Sequence, residues 1–193
     1  MTPISRLWLA FSAIGAGTIH LAVGASAPVL LMITLVGLGA AELGWGAVTL
    51  VRGRALAPGA ALFGALIPVF IWGAVATLGS GLGVPAAATG LPLQPMATAT
   101  LFDLFLACSL ALVLRRTRRT TSTSTTEGVP RASAGETAGG WRFLAALTLA
   151  ALVVSGLTTP ALAATDAGAH AVPHGSHGLP SAPTPETPAS HHH

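Results

Sequence analysis

The chain has no lysine, no asparagine and no tyrosine, one cysteine, and only nine arginines and six acidic residues in 193. At 8% charged and 52% hydrophobic, with a mean hydropathy of +0.72, it lacks the charge that keeps a soluble domain's surface wet. The class that remains is a membrane protein. The single Cys108 excludes an intrachain disulfide and a thiolate metal cluster. It lies inside an apolar run and is expected to pack there as a small hydrophobe. No nucleophile–base pair, cofactor motif or HExxH sequence occurs, and little polar mass is left to house a substrate, so an enzyme is not expected. The pI near 11.1 does not imply a nucleic-acid partner. The arginines that cause it sit beside apolar runs, where they report orientation.

What the chain does contain is a series of such runs. Arg6 precedes the first, over residues 7–23, near the lower length limit for a spanning helix. A turn ending in Pro28 leads to the second, over 29–51, which Arg52 and Arg54 close. Pro58 opens the third, over 58–79, with Pro68 inside it predicting a kink. Residues 80–95 are rich in Gly and Pro and belong outside lipid. The fourth run covers 96–114 and is expected to stop at Arg115, Arg116, Arg118 and Arg119. Together, residues 1–116 read as an all-α, four-helix transmembrane bundle.

Residues 117–140 are Ser-, Thr- and Gly-rich without periodicity, and read as a disordered cytoplasmic linker. Residues 141–164 form a fifth hydrophobic segment open to two readings. One is an uncleaved helix. The other is a signal-like element with a basic flank at Arg142, helix breakers at Gly156 and Pro160, and an Ala-x-Ala site ending at Ala163. Residues 165–193 read as a disordered, His-rich external tail.

If five helices alternate, every arginine falls on one side, and the opposite loops and the tail receive none. The positive-inside rule then places the N-terminus in the cytoplasm and the C-terminus outside a plasma membrane. Gly15/Gly17, Gly37/Gly39 and Gly44/Gly46 follow no strand and make no phosphate loop. They read as surfaces where helix backbones approach in lipid.

Apart from the thiol of Cys108, only three ionisable side chains lie within the first four runs: His20, Glu42 and Asp103. Helical spacing puts His20 with Ala13, Ala16 and Gly17, Glu42 with Gly39, Trp45 and Gly46, and Asp103 with Ala99, Thr100 and Ala107. Each therefore lies on a small-residue face suited to helix contact. At ~1.5 Å per residue, Glu42 lies roughly 15 Å above Arg52, Asp103 roughly 18 Å above Arg115 and His20 roughly 21 Å above Arg6. The three share a depth at which they can meet. Such a group is either a polar clasp or a site for a proton, a divalent transition metal or a cationic ligand.

Six of the seven histidines fall in the tail, where His170, His174 and His177 form a candidate metal-binding tract for Cu, Zn or Ni. The terminal His191, His192 and His193 are either a native end or a purification remnant. The stretches His20-Leu21-Ala22, Glu42-Leu43-Gly44-Trp45 and Phe102-Asp103-Leu104, within residues 7–114, resemble those of small multi-pass membrane proteins of high-GC Gram-positive bacteria whose function is unassigned. The resemblance implies a bacterial membrane location and no particular activity. Two functional expectations stand: handling of divalent metal ions or protons at the membrane, or a structural or assembly role in a larger membrane complex or homo-oligomer.

Overall fold

The computed structural model describes residues 2–83, 91–122 and 136–171. These residues are all-helical, with no strand among them: α1 (Pro3–Gly24), α2 (Val29–Arg52), α3 (Pro58–Gly81), α4 (Leu93–Ser122), α5 (Glu136–Ala163) and the short α6 (Asp166–Ala169). The first five are long and apolar enough to cross a membrane.

Local chemistry sets the boundaries. Thr2 caps α1, its hydroxyl accepting from the Ser5 N–H at 3.2 Å, and Pro3 occupies the first turn, where a missing donor costs nothing. Helix α2 ends at Gly53, whose φ of 68° is the left-handed conformation that closes helices. The Arg6 guanidinium donates to the Gly53 carbonyl at 2.6 Å, tying the start of α1 to the end of α2. The Trp45 indole donates to the Leu56 carbonyl at 2.8 Å and holds the following turn against the bundle.

The packing shows how the helices run. One core cluster joins Val23 near the end of α1 to Leu35 early in α2, Met96 and Phe102 early in α4, and Ala161 late in α5. A second joins Leu9 and Ala13 early in α1 to Ala65 early in α3 and Leu110 late in α4, with Trp45 late in α2 against it. Successive helices therefore alternate in direction, and α5 runs parallel to α1. Helix α1 is the centre: it is mostly buried, whereas α5 is largely exposed. Its Ala10, Ala13, Ala16 and Gly17 keep it thin enough for neighbours to close around it. The outward faces carry large apolar side chains, among them Leu30, Val51, Phe63, Phe70 and Leu152.

Several expectations change. Helix α4 does not stop at the arginines but continues through Ser122, so residues 117–122, read as linker, are helical. Arg is a good helix former, and the Thr117 hydroxyl satisfies itself on the Val113 carbonyl at 3.0 Å, so nothing local ends the helix there. Helix α5 begins at Glu136 and passes through both Gly156 and Pro160. Helix α3 holds Pro68 within it, as the continuous third run implied. In each case a glycine, Gly64 or Gly156, stands four residues before the proline and lets the backbone yield where the ring meets that carbonyl. Cys108 is exposed on the outer face of α4 and does not pack inside the bundle. Residues 123–135 and 172–193 lie outside the described residues, and with them the rest of the linker and most of the tail.

Candidate functional site

Helices α1 and α2 are joined by only four residues and cross closely. A β-carbon built on Gly17 would lie 2.6 Å from the Gly39 carbonyl oxygen, and one on Gly46 would lie 2.8 Å from that of Ala10. The paired glycines are used singly. Gly37 and Gly44 have nothing within 4 Å, because two residues on a helix point to nearly opposite faces. Gly15 turns the other way, towards α4, where the Phe102 ring packs against it.

This close crossing puts His20 beside Glu42, and Phe102 seated over Gly15 brings Asp103 in from α4. His20 Nδ1 and Glu42 Oε2 are 2.8 Å apart, a buried hydrogen bond between α1 and α2. His20 Nε2 lies 3.7 Å from Asp103 Oδ2. One ligand-capable atom from each of the three residues falls within 4.8 Å of the others, and all three residues are buried. His20 and Asp103 are fully enclosed, while Glu42 is 8% exposed, making it the member nearest the surface.

Five buried side-chain polar atoms lack a hydrogen-bond partner among the described residues, and four belong to this group: His20 Nε2, Glu42 Oε1, Asp103 Oδ1 and Asp103 Oδ2. The fifth is the Thr49 hydroxyl on α2, which the sequence reading passed over. Its signal was its place seven residues after Glu42, two turns along the same face.

The polar groups here are mostly acceptors. An ionised carboxylate only accepts, so against an ionised Glu42 the His20 Nδ1–H would be the donor. His20 Nε2 then faces the Asp103 carboxyl group with no hydrogen bond between them among the described residues. That arrangement suits a positive centre: a proton or a metal ion.

The other sequence candidates lie elsewhere. His170 follows α6 and is exposed, its Nδ1 2.8 Å from the Asp166 carbonyl oxygen. His174 and His177 lie outside the described residues. A groove with a cavity volume of about 840 Å³ opens between the start of α1 and the end of α4. Its lining is mostly apolar, with Trp8 edge-on to Phe105 at 6.3 Å and Arg116 at one end, and none of the three cluster residues reaches it.

No family model, no curated protein and no solved structure matches this chain. Function is therefore read from the geometry alone.

Proposed function

We propose that the chain is a five-span protein of a bacterial plasma membrane whose buried His20, Glu42 and Asp103 bind a cation within the bilayer. The observation that carries this reading is the convergence of three ionisable side chains from three helices, with four unpartnered polar atoms among them. Membrane spanning is supported by five long apolar helices of alternating direction and by their apolar outer faces. The described arginines flank one end of the bundle: Arg6, Arg52, Arg54, those at the end of α4, and Arg142 near the start of α5. That end is the cytoplasmic one by the positive-inside rule, which leaves the N-terminus inside and the tail outside.

A purely structural clasp is the competing reading, and magnitudes weigh against it. An interhelical hydrogen bond in lipid averages about 0.6 kcal/mol. Each buried polar atom left unsatisfied costs about 1–3 kcal/mol. Four such atoms outweigh one hydrogen bond, whereas a bound cation offsets their cost. The tail extends the proposal: His170, His174 and His177 gather Cu(II), Zn(II) or Ni(II) outside, and the fifth helix serves to carry them across.

The test is cation binding by the purified full-length protein in detergent, followed by calorimetry with Zn(II), Cu(II) and Ni(II) and by proton uptake with a pH indicator. Binding lost in His20→Ala, together with an altered phenotype of that variant under metal stress, supports the reading. A protein that takes up neither metal nor proton at this cluster overturns it, leaving the structural or assembly subunit. A peptide of residues 164–190 tests the tail separately. Its affinity for Cu(II) or Ni(II) should be tighter than about millimolar, since the ~4 kcal/mol at that limit is too little for a dedicated site.

A further inference from the structure

Resting on that cation-site reading, we infer that the cation is a transition-metal ion held between His20 Nε2 and the Asp103 carboxylate, and that Glu42 positions His20 without ligating the ion. Three observations divide the roles in this way. First, Glu42 Oε2 is engaged with His20 Nδ1 at 2.8 Å, the contact by which a carboxylate fixes a metal-ligating imidazole's tautomer and raises its basicity. Glu42 reaches the nitrogen that faces away from Asp103.

Second, the His20 Nε2–Asp103 Oδ2 separation of 3.7 Å is too long for a shared proton, since such hydrogen bonds close to about 2.7–2.9 Å. It suits two ligands of one ion. Atoms each about 2.0–2.1 Å from a metal lie 3.7 Å apart when the ligand–metal–ligand angle is about 130°, a moderately opened tetrahedron. The octahedron that Mg(II) demands sets neighbouring ligands about 2.9 Å apart. Ca(II) takes oxygen ligands and leaves imidazole unused. Imidazole with carboxylate selects the Zn(II), Ni(II), Cu(II) and Fe(II) class.

Third, both Asp103 oxygens are buried and lack a protein partner among the described residues, so the carboxylate can ligate through one oxygen or both. Two protein residues do not close a coordination sphere. Structural zinc sites use four protein ligands, while sites that exchange their ion or bind a further molecule keep positions open. The pair accordingly leaves coordination positions open for water or a further ligand. Glu42, nearest the surface, lies at its outer edge.

The experiment uses the full chain with every tail histidine changed to alanine, so that only His20 remains. Co(II) is added to the detergent-purified protein and followed by its visible absorption, and Zn(II) affinity is measured by competition. X-ray absorption of the Zn(II)-loaded protein then reads the ligands. One ion per chain, with one imidazole nitrogen and otherwise oxygen donors, is expected. His20→Ala and Asp103→Asn should abolish binding, while Glu42→Gln should keep one ion per chain and weaken affinity about 10–100-fold.

Equal abolition by all three changes makes Glu42 a ligand and overturns the division of roles, while the cation reading survives. No metal bound, with proton uptake that depends on His20, overturns the metal assignment alone. Neither metal nor proton bound removes both. The absorption measurement is made on unaltered membrane helices, so it decides the ligand set even if a cluster variant fails to fold.

Discussion

Gly17 and Gly39 stand carbonyl to α-carbon across the α1–α2 crossing, so that a β-carbon on Gly39 would sit 2.7 Å from the Gly17 oxygen. The contact is reciprocal, and it sets the distance at which His20 meets Glu42. Gly17→Ala or Gly39→Ala should therefore destabilise the detergent-solubilised protein by about 1–3 kcal/mol, the usual cost of overpacking. Gly37→Ala and Gly44→Ala, on the open faces, should stay within about 0.5 kcal/mol of the parent. Thermal unfolding of the four variants side by side checks this. Equal losses at all four would mean that the crossing lies elsewhere on α2.

Coupling among the three polar residues gives a second test. The double change His20→Ala/Glu42→Gln should be less harmful than the sum of its singles by about 0.5 kcal/mol or more. His20→Ala/Asp103→Asn should also fall short of additivity, by less in metal-free buffer than in Zn(II). Denaturant titration in each buffer measures both cycles. Additivity within a few tenths of a kcal/mol in both would show that the residues do not interact in solution.

Orientation can be read directly. Reporter fusions at Arg54, Gly90, Thr123 and the C-terminus should report inside, outside, inside and outside. A C-terminus reading inside removes the external tail, and with it any role for His170, His174 and His177 in capturing metal from outside.

The two sequence readings of the fifth run predict different masses. Helix α5 continues to Ala163, Ala161 is fully buried, and the buried Thr165 caps α6 by accepting from the Gly168 N–H at 3.2 Å. Proteases cut where chain can be drawn out straight, and although Ala163 and Ala164 are exposed, the chain before that bond is helical and is anchored by the buried Ala161 and Thr165. Intact mass spectrometry of the membrane-extracted protein should give the uncleaved chain. A species ending at Ala163 would show that processing outruns packing.

How far the sequence could reach is clearest at the cluster. Apart from the Cys108 thiol, His20, Glu42 and Asp103 were the only ionisable groups in four apolar runs, and i±3 and i±4 neighbours placed each on a small-residue face. The structure brings them together on that side. Spacing along single helices carries no rotation between helices, so the nitrogen that faces Glu42 and the 3.7 Å separation from Asp103 were out of reach. Gly-x-Gly pairs looked like one contact surface, but only one member of a pair can face a given neighbour. Cys108 was misjudged for a related reason: in lipid an apolar run is apolar all round, so hydropathy does not distinguish core from periphery. The arginines after Leu114 would mark a membrane interface, which can end a span without ending a helix.

The Arg6–Gly53 contact, the four-residue turn and the Gly17–Gly39 crossing have a bearing on biogenesis. All three join only the first two helices, so α1 and α2 form a complete hairpin before α4 has been synthesised. Such a hairpin would already bring His20 to Glu42, so that the imidazole need not enter hydrocarbon alone. Asp103 arrives about 60 residues later and is the one acidic group that would join a partner already in place. The last step of assembly is thereby also the step that completes the site. On the proposed reading, a chain halted before α4 would keep the α1–α2 hairpin but lack Asp103, and should bind no ion.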